Sequence, residues 1–449
     1  MGEYKPKKST LIGWGIGDFG FQMMILVSVY YFAAFLTDYA QFPVALSGFI
    51  LTVVGIGDAI TQPFSGVVVT QARPKWGKYR SWYLIGPPLI AIFFIMGYTK
   101  IGSDITAAAI IIVTYVACRF SFNCVWAAHL ALIPYISPKP EDRSFLSASR
   151  GVWQQLGAFL FSAISLSIMT ALVGKFGNVT GVTITAAFFC LFMIVGYLLS
   201  FVATKGVPEP SSVEVQEKDK LSFMDYIRSI IKNPPLLVAL VAYTCSTLGN
   251  FMFSMFIFYY WKYTTDKFLM YSVFMTVSNF VALGGAALTA WVSGKLGTKN
   301  TTVIGFFGNA LFCVLAYFFA SDVLLFSVLY MISRVFFTFT NGTNALIFTH
   351  VGMYAQWKTG KDNRAFVTGL VGVPAKIGSF TKGALLAAGL TAMGFVANEA
   401  ATPQVIAGIY KEVALKPGLW YLAAGIAMLF YGLNNKVVAE MDEALSAEK

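Results

Sequence analysis

Charge is what this sequence has least of. Asp, Glu, Lys and Arg make up 12% of its 449 residues, about half the ~25% of an ordinary soluble domain. So few ionic groups cannot cover a water-facing surface of that size, which excludes a conventional soluble enzyme and a disordered chain. Histidine is scarcer still. With only His129 and His350, a multi-histidine metal centre is ruled out. Cysteine offers no framework either. Cys118, Cys124, Cys190, Cys245 and Cys313 all fall inside apolar runs and read as small core residues rather than disulfides or metal ligands. No phosphate loop, Cys–His pair or catalytic carboxylate pair is present. The chain is therefore not expected to be an enzyme or to carry a cofactor or metal.

What is present is hydrophobic. Apolar types make up 57% of the chain and the mean hydropathy is +0.69. Charge-free windows of about 19 residues or more, the length a bilayer demands, cover 19–37, 39–57, 81–99, 151–174, 176–204, 233–261, 268–294, 300–321, 335–357 and 417–435. Two more spans, 105–135 and 365–396, carry polar interruptions, and 322–333 extends the window that starts at 335. Segments this long and apolar must satisfy their backbone internally, so twelve transmembrane helices are expected. The ~10-residue alternating strands of a membrane barrel are missing. The basic residues 1–10 lead into a full-length apolar run without a small-residue cleavage site, so no cleaved signal is expected.

The net charge of +11 follows from topology and does not call for a nucleic-acid partner. Of 32 basic residues, 21 fall on the side of the N-terminus, six on the other side and five within spans. That asymmetry makes the first side cytoplasmic and places both termini there, in a multi-pass protein of the inner (plasma) membrane. The polar stretch 205–233 divides the chain into a six-helix half, 1–204, and a second six-helix half with a short tail, 234–449. A short amphipathic helix is expected near 223–231 in this linker. Both halves carry a short basic, glycine-containing loop after their second span, at 73–80 and 294–299. Paired six-helix repeats are the mark of the major facilitator superfamily, with substrate held midway between the halves.

Several motifs run through the chain in order. Gly13-Trp-Gly-Ile-Gly-Asp-Phe-Gly20, Tyr30-Tyr31 and Thr37-Asp38 lie in and after the first span. Asp58-Ala-Ile-Thr-Gln-Pro63 and Trp76-Gly-Lys-Tyr-Arg80 come next, then Arg143 and Arg150, then Ala375-Lys-Ile-Gly-Ser379. Gly394-Phe-Val-Ala-Asn398 and Thr402-Pro-Gln-Val-Ile406 follow. Over about 400 residues this set resembles the glycoside–pentoside–hexuronide:cation symporters, such as the melibiose and glucuronide permeases.

A charge at bilayer depth costs at least ~2.5 kcal/mol and marks a pathway or a partner. Asp58 stands out. An uncompensated carboxylate there takes a proton, or forms half of a sodium site. Thr61 and Gln62 share its helix face. The alternative is a structural ion pair with Lys376 or Arg150. In the sodium-coupled relatives that the resemblance brings in, the matching span carries two aspartates, and Gln62 stands at the second position. Hard cations want several oxygens, so the coupling ion is expected to be a proton, with sodium as the alternative. Thr61, Gln62 and Asn123 could then supply neutral oxygens.

Asp18 and Gln22, spaced one turn apart, are candidate substrate-binding residues of the pocket, and Asn123, Trp126 and His129 form a stripe. The resemblance implies a sugar-binding role for Arg150, for Lys376, and for the position of Gln22, where melibiose permeases carry an aspartate. Trp126 could stack on a sugar ring, and His129 is a candidate for substrate or proton work, histidine being the residue type whose ordinary pKa lies near physiological pH. Each also has a bland reading: Asp18 as a buried partner of Arg150, His129 and Trp126 as packing. Arg119, Arg334 and Lys382 have no motif support. The spans hold five basic residues (Arg119, Arg150, Arg334, Lys376, Lys382) against two acids (Asp18, Asp58). That excess favours an anionic glycoside, a hexuronide or a sulfonated sugar, over a neutral oligosaccharide or pentoside. The expectation is a monomeric symporter in the lipid bilayer that moves a small glycoside with a cation by alternating access. A lysolipid-type carrier is the more distant alternative.

Overall fold

The computed structural model describes residues 6–72, 74–137, 139–209, 233–359 and 364–447. Among them every regular element is helical. The main helices are α1 (Ile16–Ala34), α2 (Val44–Gln71), α3 (Trp82–Met96), α4 (Asp104–Ala131), α5 (Pro140–Phe176) and α6 (Asn178–Ala203), then α7 (Pro234–Tyr263), α8 (Met270–Leu296), α9 (Thr298–Phe318), α10 (Val323–Thr359), α11 (Val373–Ala392) and α12 (Lys416–Leu429). Nine of these among the described residues are long and apolar enough to cross a membrane. The other three are α3, apolar but 15 residues long, α11, which carries Lys376 and Lys382, and α12, which has 14 residues. The linker beyond Glu209 and the amphipathic helix expected near 223–231 lie outside the described residues.

Helix boundaries depart from the charge-free windows where capping and pairing outweigh composition. Helical structure leading into α12 starts at Pro403, not near 417. Thr402 caps it by accepting from the Val405 N–H, and Pro403 fits the first turn, where no amide donor is needed. The helix continues through a π turn at Lys411–Leu415. Buried Glu412 pairs there with Lys416 one turn on, so a charged window was still helical. In α2 the start shifts to Val44, after Pro43, and the helix runs past Asp58 to Gln71. Between 364 and 392 the helix is broken by a 3-10 turn at Leu370–Gly372.

Inside a bilayer, helices gain little from burying apolar surface against each other, and close packing takes over. Small residues set the contacts. A Cβ on Gly20 of α1 would come within 2.0 Å of the Phe192 carbonyl of α6. Between the N-terminal and C-terminal groups of helices, a Cβ on Gly55 of α2 would lie 2.3 Å from the Ser379 carbonyl, and one on Gly383 of α11 would lie 2.3 Å from the Gly48 carbonyl. α2 and α11 are therefore in backbone contact over the half of the membrane away from the basic face. α5 and α8 are joined at mid-depth, where Asn279 donates to Ser162 Oγ at 2.7 Å.

The end of the bundle away from the basic loops is sealed. Asp38, just past α1, is 1% exposed. Its Oδ2 accepts from Lys262 Nζ and from the Tyr263 hydroxyl, each at 2.6 Å. Asn398, after α11, accepts from Lys262 at 2.9 Å and donates from Nδ2 to the Asp38 carbonyl at 2.7 Å. Thr37 bonds the Tyr259 hydroxyl at 2.7 Å. Asn398 adopts φ +63°, a conformation in which asparagine is enriched.

The opposite side is open. A cavity of about 920 Å³ runs from Gln22, Asn279 and Arg334 at mid-depth to Gly151, Ser293 and Gly294 at the basic face. That face is the one expected to be cytoplasmic, so the arrangement is inward-open. On the same side Arg80 donates to Thr204 Oγ1 at 3.1 Å and to the Phe201 carbonyl at 2.8 Å, and Glu209 accepts from the Tyr79 N–H at 2.5 Å. These bonds tie the loop after α2 to the end of α6.

Gly55→Leu should force α2 and α11 apart and break the seal. In a chain carrying Ser254→Cys as reporter, labelling by an impermeant maleimide from the sealed side should then be several-fold faster than without Gly55→Leu. Equal rates would show that the glycine contact does not hold the seal.

Candidate functional site

Two carboxylates lie deep in the bundle, and each is enclosed by donors from other helices. α2 places Asp58 at mid-depth, 2% exposed. α4 presents Arg119 and Asn123 one turn apart on the face towards it. Arg119 Nη2 lies 3.1 Å from Oδ2 and Asn123 Nδ2 donates to Oδ1 at 3.0 Å. From α11, Lys376 Nζ donates to Oδ2 at 2.8 Å. The Lys376–Asp58 pair therefore links the C-terminal group to the N-terminal group. A pocket of about 180 Å³ adjoins it, lined by Asp58, Arg119, Lys382, Ser28, Tyr115 and Ser254 among others.

The other residues expected around Asp58 are not brought to its carboxylate. Thr61 uses its hydroxyl on the Asp58 backbone carbonyl at 3.3 Å, the local bond that threonine commonly makes in a helix. Gln62 is exposed, because the carboxylate points at α4 and α11 rather than along its own helix. Arg119, left without a role by motif reasoning, takes that place. The signal for it was its position one turn before Asn123.

Asp18 is fully buried. Its Oδ2 receives His129 Nε2 at 2.8 Å and Arg150 Nε at 3.0 Å, and its Oδ1 receives Gln154 Nε2 at 3.0 Å. The Tyr83 hydroxyl lies 2.8 Å from His129 Nδ1 and accepts from Trp14 Nε1 at 3.1 Å. One assignment satisfies the whole chain. Trp14 donates to the Tyr83 oxygen, Tyr83 donates to Nδ1, and Nε2–H donates to Asp18, with each bond polarising the next. The imidazole also stacks on Trp14 at 4.1 Å between ring centroids. Trp126 lies under the Arg150 guanidinium at 4.4 Å, the geometry of a cation–π contact. Asp18, His129, Arg150 and Trp126 thus form one packed cluster in this state. Gln154 and Tyr83 complete it, and neither was singled out in sequence. Gln154 sits one turn after Arg150 on the same face of α5.

Of the residues expected to contact substrate, Gln22 lines the large cavity. It is joined there by Gln154, Gln155, Asn279, Asn341 and Arg334, so α1, α5, α8 and α10 build the wall. Lys376 is held on Asp58 instead.

Residues 13–435 match the family model described as MFS/sugar transport protein. The chain belongs to that family. It is a multi-pass membrane protein and a sugar transporter of the MFS type, in line with its helical bundle and central cavity. Its relatives include the glucuronide carrier protein homolog of Escherichia coli (strain K12), 24% identical over 96% of this chain and 95% of the relative. The isoprimeverose transporter of Lactiplantibacillus pentosus is 24% identical over 98% of this chain and 92% of its own. Among solved structures, a D-xylose-proton symporter superposes with a TM-score of 0.68 at 12% identity, covering 94% of this chain and 96% of that one. At that identity the likeness establishes the fold alone.

Truncating the acceptor of a buried charge cluster leaves its cations uncompensated, at a cost on the order of 3 kcal/mol. Asp18→Ala in this MFS sugar transporter should lower the midpoint of thermal unfolding in detergent by several degrees. Asp18→Asn, which still accepts hydrogen bonds, should lose less. Equal, small losses in both would mean that the cluster contributes little to stability.

Proposed function

We propose that the protein is a proton-coupled symporter of a glycoside, and that its substrate is an anionic sugar such as a hexuronide or a sulfonated sugar. The half formed by 1–204 and the half formed by 234–449 rock about the central cavity. The observation that carries the reading is the Lys376–Asp58 ion pair at 2.8 Å, which joins the two halves through a titratable group.

In the inward-open arrangement Asp58 is ionised and compensated by Arg119 and Lys376. A proton on Asp58 removes their shared counter-charge and weakens the ion pair that joins the two halves, so protonation biases the carrier towards an arrangement in which that pair is broken. Substrate bound in the central cavity biases the same rearrangement, and cation and substrate are thereby coupled, a differential stabilisation of one state. The donor set favours a proton over sodium. A sodium ion needs several oxygens, whereas the groups at the Asp58 carboxylate are the nitrogens of Arg119, Asn123 and Lys376. The relatives' names include both a glucuronide and the uncharged isoprimeverose, so they leave substrate charge open. The excess of basic over acidic residues within the spans supports the anion.

The test is uptake into proteoliposomes with a panel of glucuronides, sulfosugars and neutral glycosides under imposed proton or sodium gradients. A proton gradient should drive accumulation and a sodium gradient should not. Asp58→Asn should abolish accumulation while leaving exchange or downhill flux. If that variant still concentrates substrate, Asp58 is not the coupling site.

A further inference from the structure

Among the described residues, the large cavity has a single ionisable side chain on its wall. Gln22, Gln155, Asn279, Asn341 and Thr338 contribute amides and a hydroxyl, and of these described lining residues Arg334 carries the charge. Arg119 and Lys376 pair with Asp58 and Arg150 with Asp18, and Lys382 faces the separate pocket beside Asp58 rather than the large cavity. Among the described residues, Arg334 has no ion-pair partner. Its buried Nε has no hydrogen-bond partner. The ionisable side chains around it are Tyr30, Tyr330, Tyr421 and Cys313, and none is a carboxylate. Its guanidinium lies over the Phe337 ring at 4.6 Å, which covers one face; its edge borders the Tyr330 hydroxyl, and the unpartnered Nε is left to a ligand.

A half-buried guanidinium without a counter-ion is costly unless something completes it. The planar fork matches a carboxylate or sulfonate through two parallel hydrogen bonds. The cavity volume, about 920 Å³, leaves room for a glycoside alongside that anion. We propose that Arg334 binds the anionic group of the substrate from the α10 wall, while the cavity amides bind the sugar hydroxyls. This rests on the reading of the chain as a transporter of anionic glycosides, and it names the residue that discriminates charge.

The test is calorimetric titration of the purified full-length protein with 4-nitrophenyl glycosides of glucuronic acid, of 6-sulfoquinovose and of glucose. The charged ligands should bind at least ~10-fold tighter than the glucoside, the size of a charge-assisted bidentate contact. The arm with the larger advantage identifies carboxylate or sulfonate as the natural group. Arg334→Gln should collapse the charged-to-neutral ratio towards one, and Arg334→Lys, a point charge without the fork, should give an intermediate ratio. A ratio unchanged in Arg334→Gln overturns the assignment to Arg334 while the transporter reading stands. If Arg334→Gln does not yield folded protein, the lysine variant decides, and an unchanged ratio there overturns the assignment equally. If the unmodified protein binds charged and neutral glycosides alike, the anion reading falls and the role of Arg334 with it.

Discussion

An ionised side chain at the centre of a bilayer is costly to leave unpaired, and much of this structure is arranged around that constraint. The protein buries two carboxylates, Asp18 and Asp58, and surrounds each with nitrogen donors drawn from different helices. α4 serves both. Its Arg119 and Asn123 reach Asp58 on α2, and its His129 reaches Asp18 on α1. The positions of α1, α2, α4 and α5 in the N-terminal group are therefore tied to one another by charge as well as by packing. α11 joins them through Lys376.

The same logic separates a permanent pair from a conditional one. The Asp18 cluster stays within the N-terminal group, and its carboxylate is fully buried among donors from α4 and α5. It has no reason to change as the halves move. The Asp58 cluster spans the two groups, and its cations are partly exposed, 21% for Arg119 and 26% for Lys376. A pair that straddles a moving seam is one whose protonation can matter to the motion. The glycine contacts between α2 and α11 let the seam close tightly enough for that pair to form.

Much of the fold was legible in sequence because a bilayer imposes a simple rule on composition. Length, charge scarcity and the distribution of lysine and arginine pointed to a helical membrane bundle, and the ordered motifs carried the resemblance to its family. Boundaries were less legible where a capping residue or an i,i+4 ion pair overrides hydropathy, as at Thr402 and at Glu412–Lys416. The Asp58–Lys376 pairing could be anticipated, since a lone deep carboxylate needs a cation. Arg119 could have been read from its place one turn before Asn123. The meeting of Asp38 with Lys262 and Asn398 could not, because 224 and 360 residues separate the partners in the chain. Two motifs that served only to mark a resemblance, Thr37-Asp38 and the Asn398 segment, turn out to be opposite sides of one seal. The contrast between Arg150, locked on Asp18, and Arg334, free of any acid, was also invisible to counting, since both simply add one positive charge.

That unpaired arginine has an electrical consequence. A cavity filled with water carries the potential of the compartment it opens to down to its floor, so Arg334 senses one side of the membrane at a time. In the inward-open arrangement it sits at the potential of the basic face. Moving one elementary charge through the full field is worth about 2.3 kcal/mol per 100 mV. A negative interior therefore holds the empty carrier open to the inside, and an anion seated on Arg334 cancels the charge that feels this pull. Voltage, on this account, acts on the empty carrier more than on the loaded one.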